Sequence, residues 1–218
     1  MPRRSPRRPL LGLAAALLVL GALLLPLDVP LARWWLSQPW PPKVLQLLAL
    51  AEHGAEGGSV ALILLAVLVA DGLRRRQWPW RRLVAIVAAT YAGGIATNGL
   101  KLLVPRVRPR AADLAADPAV WSTFGHQLLQ VGSHSRSALM SFPSGHAATA
   151  AALAAVLGWR WPWCLPLAVP LALLASLQRL VFSAHYPSDV ACGAALGLLG
   201  AALLLPFRPV DAPVGTSD

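Results

Sequence analysis

Long apolar stretches recur along nearly the whole chain, and polar residues are concentrated in the segments between them. A helix that crosses the hydrocarbon of a bilayer needs about 20 residues, with a range of roughly 17 to 25. By this measure the pattern predicts six spans, at residues 10 to 26, 56 to 73, 83 to 104, 146 to 161, 163 to 182 and 188 to 206. The chain is therefore predicted to be an all-α, polytopic membrane protein.

Composition supports this fold class independently. Hydrophobic residues make up 56% of the 218 residues and charged residues 13%, whereas a soluble domain carries about 25% charged residues. Apolar stretches leave no room for a second folded module, so we expect one membrane domain over residues 1–218. Within it we expect a basic cytoplasmic tail at 1–9, an outer loop at 105–142 and a C-terminal tail at 208–218.

Two longer segments lie outside the predicted spans. Residues 27–55 contain Trp34, Trp35 and Trp40, and tryptophans at this density are typical of a segment in the membrane interface. The loop 105–142 is much longer than the roughly 15 residues that unstructured loops usually reach without carrying function. Among the spans, the Ala- and Gly-rich fourth and sixth are expected inside the bundle, with the Leu-rich first facing lipid. Gly193 and Gly197 fit close helix packing.

Basic residues predict the orientation of the chain. With the N-terminus inside, eleven of the 19 Lys and Arg residues flank cytoplasmic span ends: Arg3, Arg4, Arg7, Arg8, Arg74, Arg75, Arg76, Arg81, Arg82, Arg160 and Arg208. Of the other eight, all but two belong to or neighbour the reactive residues described next, which leaves a clear inside-positive bias. Both termini are then cytoplasmic. An alternative is that Arg3 to Arg8 open a cleaved signal peptide, although no clear small-residue cleavage site follows Leu25.

The net charge of +10 does not favour a nucleic-acid partner. Nucleic-acid binders cluster their cations on one accessible face, whereas here over half of them flank cytoplasmic span ends. Anionic lipid headgroups are the expected partners of these cations.

Three short blocks of reactive residues stand out against the apolar background, and the predicted topology puts all of them on the outer face. They are Lys101 with Arg108-Pro109, then Pro143-Ser144-Gly145-His146, then Arg179 with His185 and Asp189. Ionisable residues at the ends of membrane-buried segments are costly to place, so such a set indicates a functional site. Histidines, cations and one carboxylate together suggest phosphate chemistry.

Each block suggests a role in such chemistry. Asp189 lies four residues after His185, so it can accept a proton from one ring nitrogen and leave the other as a nucleophile toward phosphorus. His146 follows Ser144 and Gly145 at a predicted helix N-terminus, which binds anions, and is placed to act as general acid. The cations Lys101, Arg108 and Arg179 would bind phosphoryl oxygens.

Some residues near the blocks allow other interpretations. Arg106 and Arg110 either assist phosphate binding or meet lipid headgroups. His126 and His134, in the outer loop, either touch a substrate headgroup or are ordinary surface residues. Considered alone, Lys101 or Arg179 would be interpreted as a cation that snorkels at a helix end. The evidence for a functional site is that all three blocks share a characteristic spacing and the same predicted membrane face.

The three blocks resemble the motifs of the type 2 phosphatidic acid phosphatase (PAP2) superfamily, whose phosphate site is shared with vanadium haloperoxidases. The resemblance covers residues 101 to 189, and residues 1 to 100 match only in hydropathy. It implies six membrane helices, a metal-independent phosphohistidine mechanism and a site at the outer leaflet. It also implies His185 as nucleophile, His146 as acid, Asp189 as orienting partner, and phosphate binding by Lys101, Arg108, Ser144, Gly145 and Arg179. Gln178 departs from the pattern, because the family usually has Ser at that position.

Residue chemistry gives no sign of a cofactor. Only Asp189 among the nine carboxylates lies in a block, and no Cys or His cluster has zinc-ligand spacing. Cys164 and Cys192 are predicted at opposite membrane faces, so no disulfide is expected between them.

The leading hypothesis is a lipid phosphatase that acts on a polyprenyl diphosphate, phosphatidic acid or phosphatidylglycerol phosphate. A lipid phosphotransferase that uses the same phosphohistidine is the nearer alternative. A transporter or a catalytically silent scaffold is a more distant one, since the ionisable residues gather at one face and not at the bilayer midplane.

Overall fold

A computed structural model describes residues 6–76, 80–114, 119–125 and 136–205. These residues form eight α-helices and several short 3-10 helices, which confirms the all-α class. The helices are α1 (Arg7–Leu24), α2 (Asp28–Ser37), α3 (Pro42–Ala55), α4 (Gly57–Arg75), α5 (Trp80–Leu103), α6 (Gly145–Arg160), α7 (Leu165–Val181) and α8 (Pro187–Leu204).

Five segments are long and apolar enough to cross a membrane. They are Arg7–Ser37, Gly57–Arg74, Leu83–Leu103, Pro162–Val181 and Pro187–Leu204. The predicted fourth span forms α6, whose 16 residues would rise about 24 Å along the helix axis. This is less than the about 30 Å of a typical hydrocarbon core, so the predicted count of six holds only approximately.

Helices α6 and α8 form the interior of the bundle. Ten of the 16 residues of α6 and ten of the 18 residues of α8 are buried, against two of the 18 residues of α1. Small residues permit this burial, since a Cβ atom added at Gly193 would overlap the carbonyl oxygen of Ser144, and one added at Gly197 would overlap that of Ala148. The predicted close packing of these two glycines is confirmed, and it brings the first turn of α6 against α8.

The segment between the first two spans folds as α2 and α3. Helix α1 runs through a 3-10 turn at Leu25–Leu27 directly into α2. Trp35 and Trp40 stack with ring centroids 5.5 Å apart, and Trp34 packs edge-on against Trp35. Helix α3 packs against α7, which places its C-terminal end next to the reactive residues.

Candidate active site

The three reactive blocks, distant in sequence, meet at one end of the bundle. The backbone N–H of Ser144 donates to the carbonyl oxygen of Asp189 at 2.9 Å, which joins the second block to the third. A Cβ atom placed on Gly145 would lie 3.8 Å from Nζ of Lys101, which joins the second block to the first. The three blocks, which the predicted topology places on the same face, therefore lie together in the folded chain.

His185 lies in the turn between α7 and α8 and is held by the backbone. Its Nδ1 lies 2.7 Å from the carbonyl oxygen of Ser141. A carbonyl oxygen can only accept, so Nδ1 carries the proton and Nε2 keeps its lone pair. Burial lowers the pKa of His185 to about 4, so the ring is neutral near pH 7 and Nε2 is a competent nucleophile.

The orienting hydrogen bond of His185 differs from the one expected from the sequence. Oδ2 of Asp189 lies 3.7 Å from Nδ1, which is beyond hydrogen-bond distance. Asp189 instead accepts from the Ser141 hydroxyl at 2.6 Å and from the Tyr186 backbone N–H at 2.9 Å. The carboxylate thus links the segment that contains Ser141 to the turn that contains His185. The Ser141 carbonyl in turn fixes the imidazole ring.

Arg106 links this site to the first part of the chain. Its Nη1 lies 2.5 Å from Oδ1 of Asp189, and its Nη2 lies 2.7 Å from Oδ2 of Asp28. All three side chains are fully buried. Burial alone would lower the pKa of Arg106, but Asp189 and Asp28 raise it overall.

This position corrects both interpretations that the sequence allowed for Arg106, as a lipid-facing cation or as a phosphate ligand. The guanidinium is enclosed between two carboxylates and lies over the rings of Tyr186 and Phe124, so it faces neither lipid headgroups nor an open anion site. Arg110, by contrast, is exposed.

Asp28 is a site-supporting residue that the sequence analysis overlooked. It also accepts hydrogen bonds from the backbone N–H and the hydroxyl of Ser188, one residue before Asp189. A signal was available, because Asp28 is the sole carboxylate among residues 1–51 and follows an apolar run. An isolated charge at such a position indicates a buried partner.

Several buried nitrogen atoms of the site lack a hydrogen-bond partner in the described part of the chain. Nε of Arg108, Nε of Arg179 and Nε2 of His146 are buried and have no hydrogen-bond partner among the described residues. Burial, followed by the charges of Arg110 and Arg179, lowers the pKa of Arg108. Since Lys101, Arg108 and Arg179 all act electrostatically on His146, positive charge converges around this ring and would favour an anion there.

The first turn of α6 adds backbone donors to this cluster. Ser144 is the N-cap of the helix, and its hydroxyl oxygen accepts from the N–H of Ala147 at 3.4 Å. That role leaves the hydroxyl proton available as a donor. Helix N-termini carry unpaired N–H groups and a partial positive charge. Ser144 and Gly145 lie at such an N-terminus, and their role in binding an anion stays a prediction.

Glu52, near the end of α3, belongs to the site, although the sequence analysis did not single it out. Its Oε1 lies 2.6 Å from Nη2 of Arg179, and its Oε2 accepts from Nε2 of Gln178 at 2.6 Å. Carboxylate oxygens of Glu52 and Glu56 and a ring nitrogen of His146 all lie within 4.8 Å of one another. Composition offered a clue to this role, because Glu52 and Glu56 are the two glutamates of the whole sequence. Glu52, Glu56 and His146 are close enough to one another to hold a cation together.

The remaining predictions concern two loop histidines and the two cysteines. His126 and His134 fall outside the described residues. Cys164 and Cys192 are both free thiols, as expected.

Comparison with known proteins agrees with the motif resemblance. Residues 79–211 match the model of the PAP2 superfamily. The chain belongs to the PAP2 superfamily. Among curated proteins, it is 37% identical over 138 residues to the decaprenylphosphoryl-5-phosphoribose phosphatase of two Mycobacterium tuberculosis strains, covering 63% of this chain and 66% of the relative. The enzyme of the same name from Mycolicibacterium smegmatis is 30% identical over 145 residues, covering 66% of this chain and 68% of the relative.

The PAP2 fold is also seen in a solved structure. The transmembrane PAP2 type phosphatidylglycerolphosphate phosphatase from Bacillus subtilis superposes with a TM-score of 0.63 at 20% identity, covering 89% of this chain and 93% of the other. At this identity the likeness concerns the fold. Together with the apolar helices, it identifies an integral membrane protein.

Proposed function

We propose that this PAP2 protein hydrolyses a lipid phosphate ester through a phosphohistidine on His185. The observation that carries the proposal is the Nδ1 contact with the Ser141 carbonyl at 2.7 Å, which leaves Nε2 as a neutral nucleophile beside the cations of the site. An imidazole held in this way needs no separate base for the first step.

The reaction has two displacements at phosphorus. Nε2 of His185 forms a bond to phosphorus while the bond from phosphorus to the lipid oxygen breaks, and His146 donates a proton to that oxygen. Water then attacks the phosphohistidine, the bond to Nε2 breaks, and His146 takes up the proton of the water. Lys101, Arg108 and Arg179 stabilise the charge on the phosphoryl oxygens in both transition states.

An apolar cavity next to the site supports an amphiphilic substrate. It has a volume of about 480 Å³ and lies between α3, α4, α6 and α7. Its lining includes Ala51, beside Glu52, and Ala150, one turn after His146, so one end of the cavity lies near the reactive end of the bundle. A hydrocarbon tail fits such a lining, and the lipid substrates named for the relatives, a decaprenylphosphoryl compound and a phosphatidylglycerolphosphate, have the same amphiphilic character.

The proposal includes the side of the membrane. The inside-positive bias of the basic residues supports cytoplasmic termini and a site at the outer face of the inner membrane. A reporter fused after residue 218 that is active only in the cytoplasm should be active. A reporter that is active only outside the membrane should be silent in the same fusion, and the opposite pair of results contradicts this orientation.

Phosphate release from purified protein tests the activity. Wild-type protein in detergent with EDTA should release phosphate from at least one lipid phosphate, and His185→Ala and His146→Ala should lose that activity. His53→Ala is the matched control, because His53 lies in α3 with its ring exposed and bonded to the Ala49 carbonyl. Chelator-sensitive activity, full activity of His185→Ala, or transfer of the phosphate to a second lipid would each contradict the proposal.

A further inference from the structure

Two carboxylates stand on the side of the site from which the leaving group departs. In the proposed mechanism His146 protonates the leaving oxygen, so the atoms around its ring surround the leaving group. Carboxylate oxygens of Glu52 and Glu56 lie within 4.8 Å of a His146 ring nitrogen and of each other. Negative charge is thus placed beside the departing group, and Glu52 is at the same time ion-paired with Arg179, one of the cations proposed to bind the transferred phosphoryl group.

The position of Glu52 is set by its neighbours. Gln178 is fully buried at the end of α7 and donates to Oε2, while Arg179 binds Oε1, both at 2.6 Å. Oε1 of Gln178 is buried and has no hydrogen-bond partner in the part of the chain that the structure describes, so it can accept from a donor that enters the site. Gln178, the residue that departs from the family motif, thereby holds this carboxylate in place together with Arg179.

The charge of the leaving group decides how it interacts with this arrangement. A phosphate monoester releases an alcohol, which is neutral and whose hydroxyl can donate to a carboxylate or to the Gln178 amide oxygen. A diphosphate releases a lipid monophosphate, whose anionic phosphoryl group is bonded directly to the leaving oxygen. Like charges at such separations repel by an amount that grows as water is excluded.

We propose that Glu52, held by Gln178 and accompanied by Glu56, makes this site select phosphate monoesters of lipids over lipid diphosphates. Glu52 is then a specificity-determining residue. The inference rests on the proposed function, because it takes His146 as the acid that faces the leaving group.

The test compares two substrates that share one tail. Farnesyl monophosphate and farnesyl diphosphate differ only in the leaving group, and kcat/KM for the first bond cleavage is measured for each from initial rates, with products separated by chromatography. The readout is the ratio of diphosphate to monophosphate kcat/KM. Freeing Arg179 from Glu52 affects both substrates, so this ratio isolates the leaving-group effect.

Glu52→Gln should raise the diphosphate-to-monophosphate ratio by about tenfold, which corresponds to about 1.4 kcal/mol. Glu56→Gln should raise it less, because Glu56 is exposed. Gln178→Ser removes the donor that fixes Glu52 and should move the ratio in the same direction. Asp113→Asn is the charge-matched control, since it removes a carboxylate from an exposed loop residue, and should leave the ratio unchanged.

The outcomes separate this inference from the proposed function. A wild-type protein that cleaves neither substrate nor any other lipid phosphate contradicts the proposed function. An active wild-type protein whose ratio is unchanged in both Glu52→Gln and Glu56→Gln overturns the inference and leaves the proposed function standing. An equal change of the ratio in Asp113→Asn would show a general charge effect and would also overturn it.

Discussion

Replacing Arg106 by methionine removes a buried cation and keeps much of the volume of the side chain. In the native protein this guanidinium contacts Asp28 at 2.7 Å and Asp189 at 2.5 Å, and it donates to Ser188 and Thr123 at 2.9 and 3.0 Å. Methionine leaves both carboxylates fully buried without their cation. The variant therefore tests whether the site is supported from α2 through Arg106.

The expected cost follows from the loss of one partner in a buried ion pair, which is about 3–5 kcal/mol. For a chain of this length, each kcal/mol lowers the melting temperature by about 2–4 °C, so Arg106→Met should melt roughly 6 to 20 °C below wild type. Activity should fall as well, since Asp189 fixes the segments on either side of His185.

Thermal unfolding in one detergent, followed by intrinsic tryptophan fluorescence, measures this cost. Arg110→Met is the matched control, because Arg110 lies in the same segment but is exposed, and it should lose less than about 1 kcal/mol. Asp28→Asn provides a double-variant cycle. In that background Arg106→Met should cost less than in wild type, by about 0.5–3 kcal/mol.

An Arg106→Met protein that melts with the Arg110→Met control would refute this reasoning. Strict additivity with Asp28→Asn would refute the direct contact between the two side chains even if Arg106→Met were unstable. The lipid-facing interpretation of Arg106 would then be restored.

Three further predictions concern packing, pH and phosphate binding. Gly193→Ala should destabilise the protein by about 1–3 kcal/mol and lower its activity, because the added Cβ would displace Ser144. Gly99→Ala is the control, since Gly99 has open space around it. Equal melting temperatures of the two variants would contradict the prediction. Because burial lowers the pKa of His185 to about 4 from its ordinary value near 6.5, its neutral form stabilises the fold above pH 6.5, and this is lost as the pH falls toward 4. In urea unfolding, the free energy of unfolding of wild type should fall by about 3 kcal/mol more than that of His185→Gln between pH 7 and pH 4. An equal fall in both proteins would contradict this prediction. Arg179→Lys should raise KM for a lipid phosphate more than it lowers kcat, since lysine lacks the planar fork; an unchanged KM would argue against a phosphate contact.

Hydropathy predicted the helices well because burial in lipid and burial in protein both require apolar residues. The predicted spans and the observed helices differ by only a few residues at most ends. Helix α6 differs from the other predicted spans, because its Ala-rich sequence suits burial inside the bundle and its 16 residues are short for a membrane span. Hydropathy does not distinguish a lipid-facing helix from one enclosed by others.

The partners of the site residues were harder to predict than the residues themselves. Spacing of four residues predicted a bond between His185 and Asp189, yet the ring binds the Ser141 carbonyl, which belongs to a backbone group that no sequence motif marks. Asp28 and Glu52 come from helices before the motif region and reach the site only through packing of α2 and α3. Such long-range contacts leave no periodic signal, and the scarcity of carboxylates was the available clue.

The central claim is that phosphate passes through His185, and trapping that intermediate tests it most directly. Purified protein is mixed with a lipid phosphate labelled in its phosphoryl group, quenched with alkali within one turnover, digested and analysed for acid-labile, base-stable label. The account predicts label on the peptide that contains His185, and none in His185→Ala. Label on a different residue, or steady release of phosphate by His185→Ala, would contradict it.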